Sequence, residues 1–251
     1  HETNAQEDGI IERDTQFVND LTEWVLSGPH FFVANTFHQT PKRDCNTHRA
    51  YDQIDLTNIS EDYIPRTNYS PACSLEEYRR LTPRVSWSNG QGESERVTEF
   101  YRVTSRTMTN PGNVRTLVSS IIPKKVGHLD LGFSLVFRED YLTPLMGGLF
   151  ASIPFDFFVK TTGKTHFRND IARQLPIPEE DRSITEGIIL RSILLNSLTT
   201  HYADLWENSW QDAFIDDTWT KDDPRLNADT DFSDLTGTWD WDTPLRTRYA
   251  R

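Results

Sequence analysis

The chain has 251 residues, 36% of them hydrophobic, with 14 Phe, 8 Tyr and 7 Trp, enough to bury a substantial core. No window approaches the ~18 apolar residues of a membrane span, and the acidic start HETNAQEDGIIERD lacks a signal-peptide pattern, so we expect a cytoplasmic protein. A net charge of −12 would disfavour binding to nucleic acid if the charge were spread evenly. It is not, since residues 96–175 carry 11 Lys and Arg against 6 Asp and Glu and are therefore locally positive.

The first third of the chain predicts one helix and two strands. Apolar residues at helical spacing predict an amphipathic helix over residues 14–26, which Gly28-Pro29 ends. HFFVANTF at 30–37 is typical of a buried strand, and YDQIDLTNI at 51–59 of a half-exposed one. The basic loop between them either contacts phosphate or, as is commoner, is simply solvated; its cations are Lys42, Arg43 and Arg49.

The central third predicts a basic sheet. Ser74 and Glu77 form a capping box for a short helix. Alternation in RVTEFYRVTSR, residues 96–106, places the arginines on one strand face and apolar residues on the other. TNPGN at 109–113 is a turn, after which VRTLVSSII and GFSLVF predict two further strands.

The last third predicts helices and an irregular tail. LTPLMGGLFASI, from Thr143, suits a buried helix whose small residues permit close packing, and the following FDFFVKTTGKTHF suits a polar loop and strand. A second capping box begins one long helix over residues 183–206. The acidic tail beyond it predicts a loop that packs by its tryptophans.

The sequence predicts no catalytic and no metal-binding residues. KTTGK at 160–164 lacks the glycine spacing of a phosphate-binding loop, and no nucleophile elbow or paired acid and base is present. Cys45 and Cys73 are too few for a disulfide framework and indicate a reducing compartment. A metal shared by Cys45, His38 and His48 is possible in principle, but isolated thiols are more often ordinary interior residues.

Cations interleaved with aromatic residues are typical of a surface that binds nucleic acid. Arg102, Arg106 and Arg115 are candidates for base edges, because a guanidinium can donate two parallel hydrogen bonds to guanine. Lys124 and Lys125 are candidates for phosphate contacts. The alternative is that these cations pair with the acidic segments on either side.

The order of four stretches resembles the recognition region of bacterial restriction-modification adenine-N6 methyltransferases of the type IIG kind, in which methylase and specificity region share one chain. They are PHFFVANTFHQTPK, YDQIDLTNISEDYIPRTNY, FYRVTSRTMTNPGNVRTLVSSIIPK and FFVKTTGKTHFRNDIARQLPIPEE. The resemblance implies an α+β fold with a twisted mixed or antiparallel sheet, flanking helices and one long helix after residue 182, as in a type I specificity-subunit target recognition domain.

The resemblance also implies double-stranded DNA as partner, and a neighbouring methylase segment that binds S-adenosylmethionine. This chain lacks that segment's Asn-Pro-Pro-Tyr type motif, so we expect no cofactor and no methylation here. The residues that the resemblance assigns to DNA contact are Arg102, Arg106, Asn113, Arg115, Lys124, Lys125, Lys160, Lys164, His166 and Arg168.

The chain therefore reads as a piece of a longer polypeptide in four parts. These are a helical linker from the missing methylase (1–27), a target recognition domain (28–182), a long helix (183–206) and an acidic, tryptophan-rich tail (207–251). The alternative function is a protein-interaction or scaffold module of a restriction or phage-defence complex, with an acidic docking surface. A separate hydrolase is disfavoured because no site for it is visible.

Overall fold

A computed structural model describes residues 2–30, 35–47, 49–178, 182–227 and 231–251. The fold is α+β, with helices packed against small sheets. The strands are β1 (Ile11–Glu12), β2 (Val25–Leu26), β3 (Gln39–Pro41), β4 (Tyr51–Gln53), β5 (Ser70–Pro71), β6 (Arg102–Arg106), β7 (Ser119–Ile122), β8 (Gly127–His128) and β9 (Gly132–Leu135). The α-helices are α1 (Glu2–Glu7), α2 (Leu75–Leu81), α3 (Leu142–Ala151), α4 (Ile153–Thr161), α5 (Asn169–Ala172), α6 (Arg182–Asn196), α7 (Ala203–Ser209) and α8 (Pro224–Asn227).

The central sheet has three antiparallel strands in the order β7-β6-β9. Arg102 lies opposite Ile122, and Arg106 lies opposite Gly132 at the other end of β6. The predicted turn and both partner strands are confirmed, since the Asn113 N–H donates to the Asn110 carbonyl at 3.0 Å and the chain returns as β7. β2 and β8 add a parallel pair beside this sheet.

Close packing of α3 against its neighbours confirms the prediction from its small residues. A Cβ on Gly147 would lie 2.9 Å from the Ile121 side chain of β7. A Cβ on Gly148 would lie 2.6 Å from Ile188 Cγ2 on α6. The two glycines therefore let α3 lie directly between the sheet and α6, in the main core.

The predicted helix over residues 14–26 is wrong. Only Leu21–Glu23 form a short 3₁₀ helix, and Val25–Leu26 pair as β2 with β8. Trp24, Val25 and Leu26 are all buried, and three consecutive residues cannot all lie on one buried helix face. Half of the predicted strand at 30–37, residues 31–34, lies outside the described residues. In the predicted strand at 51–59, only Tyr51–Gln53 pairs with another strand.

The exposed cationic face predicted for residues 96–106 is also wrong. Val97–Glu99 form a 3₁₀ turn, and the strand begins only at Arg102. Four of its five residues, from Arg102 to Ser105, are buried, because helices and loops cover both faces of the sheet. Alternation alone could not reveal that second cover.

Two predictions for the helical part of the chain are wrong, one for α4 and one for the long helix after residue 182. α4 was expected to be loop and strand, but the Ser152 hydroxyl accepts from the Phe155 N–H and starts a helix. The predicted long helix ends at Asn196 and resumes as α7, because the tail occupies two carbonyls in the gap: Trp239 Nε1 donates to the Ser197 carbonyl at 2.7 Å and Arg246 Nη2 to the Leu198 carbonyl at 2.9 Å.

The acidic tail packs through its tryptophans, as expected. Trp239 is buried, and Trp241 donates from Nε1 to the Ile59 carbonyl at 3.0 Å. Trp219 packs against Phe232, with ring centroids 5.0 Å apart. In the described part of the chain no single helix is long and apolar enough to cross a membrane; α3 and α4 reach that length and composition only as a pair bent by 66°.

Candidate nucleic-acid interface

Most of the predicted DNA-contact residues meet at one end of the central sheet, where β6 finishes at Arg106. The chain just beyond β6 runs antiparallel to residues 165–167, because the Phe167 N–H donates to the Thr107 carbonyl at 2.7 Å and the Thr109 N–H to the Thr165 carbonyl at 2.9 Å. This pairing brings the loop after α4 against the turn after β6.

The predicted residues on the segments that this pairing brings together form what we call the sheet-end cluster. Lys160 Nζ donates to the Asn113 carbonyl at 3.0 Å, which ties α4 to the turn. His166 forms a backbone bridge with Met108, two residues beyond the end of β6. The cluster consists of Arg106, Asn113, Lys160, Lys164, His166 and Arg168.

Two of these cations hold exposed ion pairs. Lys164 pairs with Asp170, and Arg168 Nη1 lies 3.3 Å from Asp130 Oδ1. All four side chains are about half exposed, so solvent screens each pair and its contribution to stability is small. The Lys164 pair lowers the pKa of the Asp170 carboxyl, chiefly through the hydrogen bond from the ammonium. Exchanging these carboxylates for phosphates would therefore cost little.

Arg115 lies at the edge of the cluster and has a structural role. Its Nη2 donates to the Ala151 carbonyl at 2.7 Å, where α3 ends, and its Nε lies 3.6 Å from Asp156 Oδ1. The same carboxylate oxygen accepts from the backbone N–H groups of Thr116 and Leu117, at 2.8 and 2.7 Å. Arg115 thus supports the corner between α3 and α4 and keeps about a third of its side chain exposed.

A cavity of about 980 Å³ extends the cationic region beyond Arg106. Arg13 and Arg49 line it together with Arg106, and Tyr51 and Tyr69 supply aromatic wall. Burial lowers the pKa of the Arg106 guanidinium. The sequence favoured a solvated loop for Arg49, although the number of cations in that loop could have indicated a place in the cationic region. No local sequence pattern indicated such a place for Arg13.

The structure separates three predicted residues from this cluster. Arg102 is only 2% exposed, so its expected place on a solvent-facing strand is wrong. Lys124 and Lys125 follow β7 at the Arg102 end, one strand length of ~13 Å away from Arg106. Lys124 Nζ lies 2.9 Å from Asp204 Oδ2, an instance of the pairing with acidic segments that the sequence left open.

No three His, Cys, Asp or Glu side chains converge as metal ligands within residues 2–30, 35–47, 49–178, 182–227 and 231–251. His48, one member of the set considered from sequence, lies outside the described residues. Comparison of the chain with protein-family models, with curated proteins and with solved structures found no match.

Proposed function

We propose that this chain recognises double-stranded DNA through the sheet-end cluster, as the sequence-reading part of an adenine-N6 methyltransferase of a restriction-modification or phage-defence system. The observation that supports DNA binding is the concentration of exposed Lys and Arg beside one sheet end in a chain whose net charge is −12. Such a local positive region supplies the phosphate contacts on which DNA affinity depends.

Within this proposal the cluster divides between phosphate and base contacts. Lys160, near the end of α4, and Lys164 and Arg168, in the loop after it, are suited to the DNA backbone. Asn113 is exposed on the turn and carries an amide of the kind that pairs with an adenine edge. Met108, 61% exposed between Arg106 and the turn, offers an apolar contact to a base.

Catalysis in this proposal belongs to a neighbouring methylase segment. That segment would bind S-adenosylmethionine and act on an adenine extruded from the duplex. The one Asn-Pro pair in the cluster region has a turn role, because Asn110 Oδ1 accepts from the Gly112 N–H at 2.9 Å. The resemblance to specificity regions in the order of sequence segments is what supports the methyltransferase context.

The alternative function, a protein-interaction module with an acidic docking surface, has weaker support, because several carboxylates of the tail already have partners within the chain. Asp223 bonds Lys221, Arg225 and the Tyr249 hydroxyl, and Asp217 pairs with Arg191. These carboxylates hold the tail's own turns and attach it to α6. We therefore favour DNA recognition over docking.

The test measures binding of the full chain to a mixed pool of short duplexes across a salt series, with sequencing of the retained fraction. We expect one short motif to be enriched. Each phosphate contact contributes roughly 1 to the slope of log K against log salt, so the double variant K164A/R168A should lower that slope by about 2.

Arg79→Ala is the matched control. Arg79 pairs with Glu99 at 3.2 Å with exposure similar to that of the Arg168 pair, and it lies on α2, away from the cluster. Its loss should leave the slope unchanged. No retention of any duplex at low salt, or an equal slope for the double variant and the wild type, would rule out this interface.

A further inference from the structure

A second cavity, of about 520 Å³, lies on the far side of the central sheet from α3, beside α2. Its walls are mainly apolar and include Leu81, Pro83, Val97 and Val136. The Arg102 side chain also reaches this wall. A cavity of this size with apolar walls and a few polar groups is typical of a small-molecule site.

Arg102 is a buried cation that lacks a counter-ion. Its Nη2 donates to the Val126 carbonyl, and its Nε has no hydrogen-bond partner within the described residues. The ion pairs found among those residues do not include Arg102. Burial lowers the pKa of this guanidinium to about 10. A buried charge without a partner is strongly unfavourable, which marks a position where a ligand can supply the opposite charge.

The polar neighbours in the cavity are neutral. His128 Nδ1 donates to the Leu129 carbonyl at 2.9 Å, which leaves Nε2 to accept from the Ser134 hydroxyl at 2.6 Å. The Thr104 hydroxyl completes the chain by bonding Ser134 Oγ at 2.7 Å. Burial and the nearby Arg102 charge lower the pKa of His128 to about 4, so the ring is uncharged near neutral pH. The positive charge of Arg102 is therefore uncompensated by these groups.

We propose that this cavity binds a small organic monocarboxylate, whose anionic end pairs with the Arg102 guanidinium and whose apolar body packs against Leu81, Val97 and Val136. One carboxylate balances one guanidinium, and the planar fork of Arg matches the two carboxylate oxygens. The apolar walls disfavour strongly hydrated anions such as phosphate. This site is separate from the sheet-end cluster and does not depend on DNA binding.

The test compares hexanoate with its neutral analogue hexanamide, and with inorganic phosphate at equal ionic strength. We expect hexanoate to raise the melting temperature of the full chain saturably, by roughly 5 °C at a hundredfold excess over its dissociation constant, and the other two probes to have no effect. Calorimetric titration should give one site per chain.

Arg102→Met should abolish the hexanoate response and still fold, because replacing a buried ion by an apolar side chain of similar length is often neutral for stability. Arg102→Lys keeps the charge but loses the fork, and should weaken hexanoate binding at least tenfold. Arg66→Met is the matched control: like Arg102, Arg66 donates to a main-chain carbonyl, that of Pro41, but it is only partly buried and lies away from this cavity.

Three results would overturn the proposal. They are an unchanged melting temperature with hexanoate, an equal response in Arg102→Met, and protection by phosphate in place of hexanoate. If Arg102→Met does not fold, the wild-type chain provides the test through intermolecular nuclear Overhauser effects between the hexanoate methylenes and the methyl groups of Val97 and Val136. Their absence at saturating hexanoate would also overturn the proposal.

Discussion

Two hydrogen bonds determine which ring nitrogen of the fully buried His30 carries the proton. The Ser27 N–H donates to His30 Nδ1 at 3.1 Å, and Nε2 lies 3.2 Å from the Arg66 carbonyl, so the ring carries its proton on Nε2. Burial lowers its pKa from 6.5 to about 4 despite these bonds. The Ser27 hydroxyl also bonds the Tyr51 hydroxyl at 2.7 Å, which links this histidine to the wall of the larger cavity.

Stability should therefore fall as the pH drops from 6.5 towards 4. Between pH 6.5 and about pH 4 the unfolded chain binds a proton at His30 and the folded chain does not, so falling pH stabilises the unfolded state relative to the folded state. Below about pH 4 both states bind this proton, and the contribution of His30 to the pH dependence levels off. The loss amounts to about 3 kcal/mol for His30. Urea unfolding between pH 4 and 7 should show a shallower pH dependence for His30→Gln than for the wild type.

Equal slopes for His30→Gln and the wild type would contradict the assignment of the pH dependence to this buried ring.

At the scale of elements, the contact between α3 and α6 depends on the absence of a side chain. Gly148 faces Ile188, whose branched Cβ leaves its methyl group little freedom to move away. The Ile188 carbonyl also lies only 3.4 Å from the position that a Cβ would take. The helices can approach this closely only with glycine at this position.

Gly148→Ala should destabilise the protein by up to about 2 kcal/mol, because overpacking costs about 1–3 kcal/mol and a helix-propensity gain of about 1 kcal/mol offsets part of that cost. In an Ile188→Ala background the same change should become neutral or stabilising, because the clashing methyl group is gone. Urea unfolding of the four proteins in this cycle measures the coupling. Gly90→Ala is the control, since a Cβ there meets open space; an equal cost at both glycines would contradict the packing argument.

How much of each element the sequence could predict depends on where its determinants lie. The α2 cap, the turn at 109–113 and the α3 helix were predictable because the deciding residues are adjacent in sequence. The gap between α6 and α7 was not predictable, because its carbonyls bond Trp239 and Arg246, which lie 42 and 48 residues further along the chain. The sheet-end cluster was predictable as residue types, but its assembly by pairing of Thr107 with Phe167 was not.

At the scale of the whole molecule, the tail is part of the core. Trp206 donates to the Thr236 carbonyl at 2.9 Å, Phe232 and Leu245 are buried, and the Leu245 N–H donates to the Leu194 carbonyl on α6. Removing tail contacts should therefore affect unfolding of the sheet as well.

Trp239→Phe should lower the free energy of unfolding by about 1–3 kcal/mol, because the buried Ser197 carbonyl loses its indole donor. Far-ultraviolet circular dichroism and tryptophan fluorescence should shift together in urea, as one transition. Trp87→Phe, at a partly exposed ring that packs on Phe100, is the control with a smaller expected effect. Separate transitions for the two probes would mean that the tail unfolds on its own.

The gap after α6 also has a consequence for biosynthesis. The residues that bond the Ser197 and Leu198 carbonyls are translated about 40 residues after the gap itself. Until they leave the ribosome, the nascent chain exposes the apolar surface of α6 and α7 and lacks the bonds that interrupt the helix. Completion of the core is thus postponed until Trp239 and Arg246 have left the ribosome, and until then the partly folded chain is exposed to aggregation and chaperone capture.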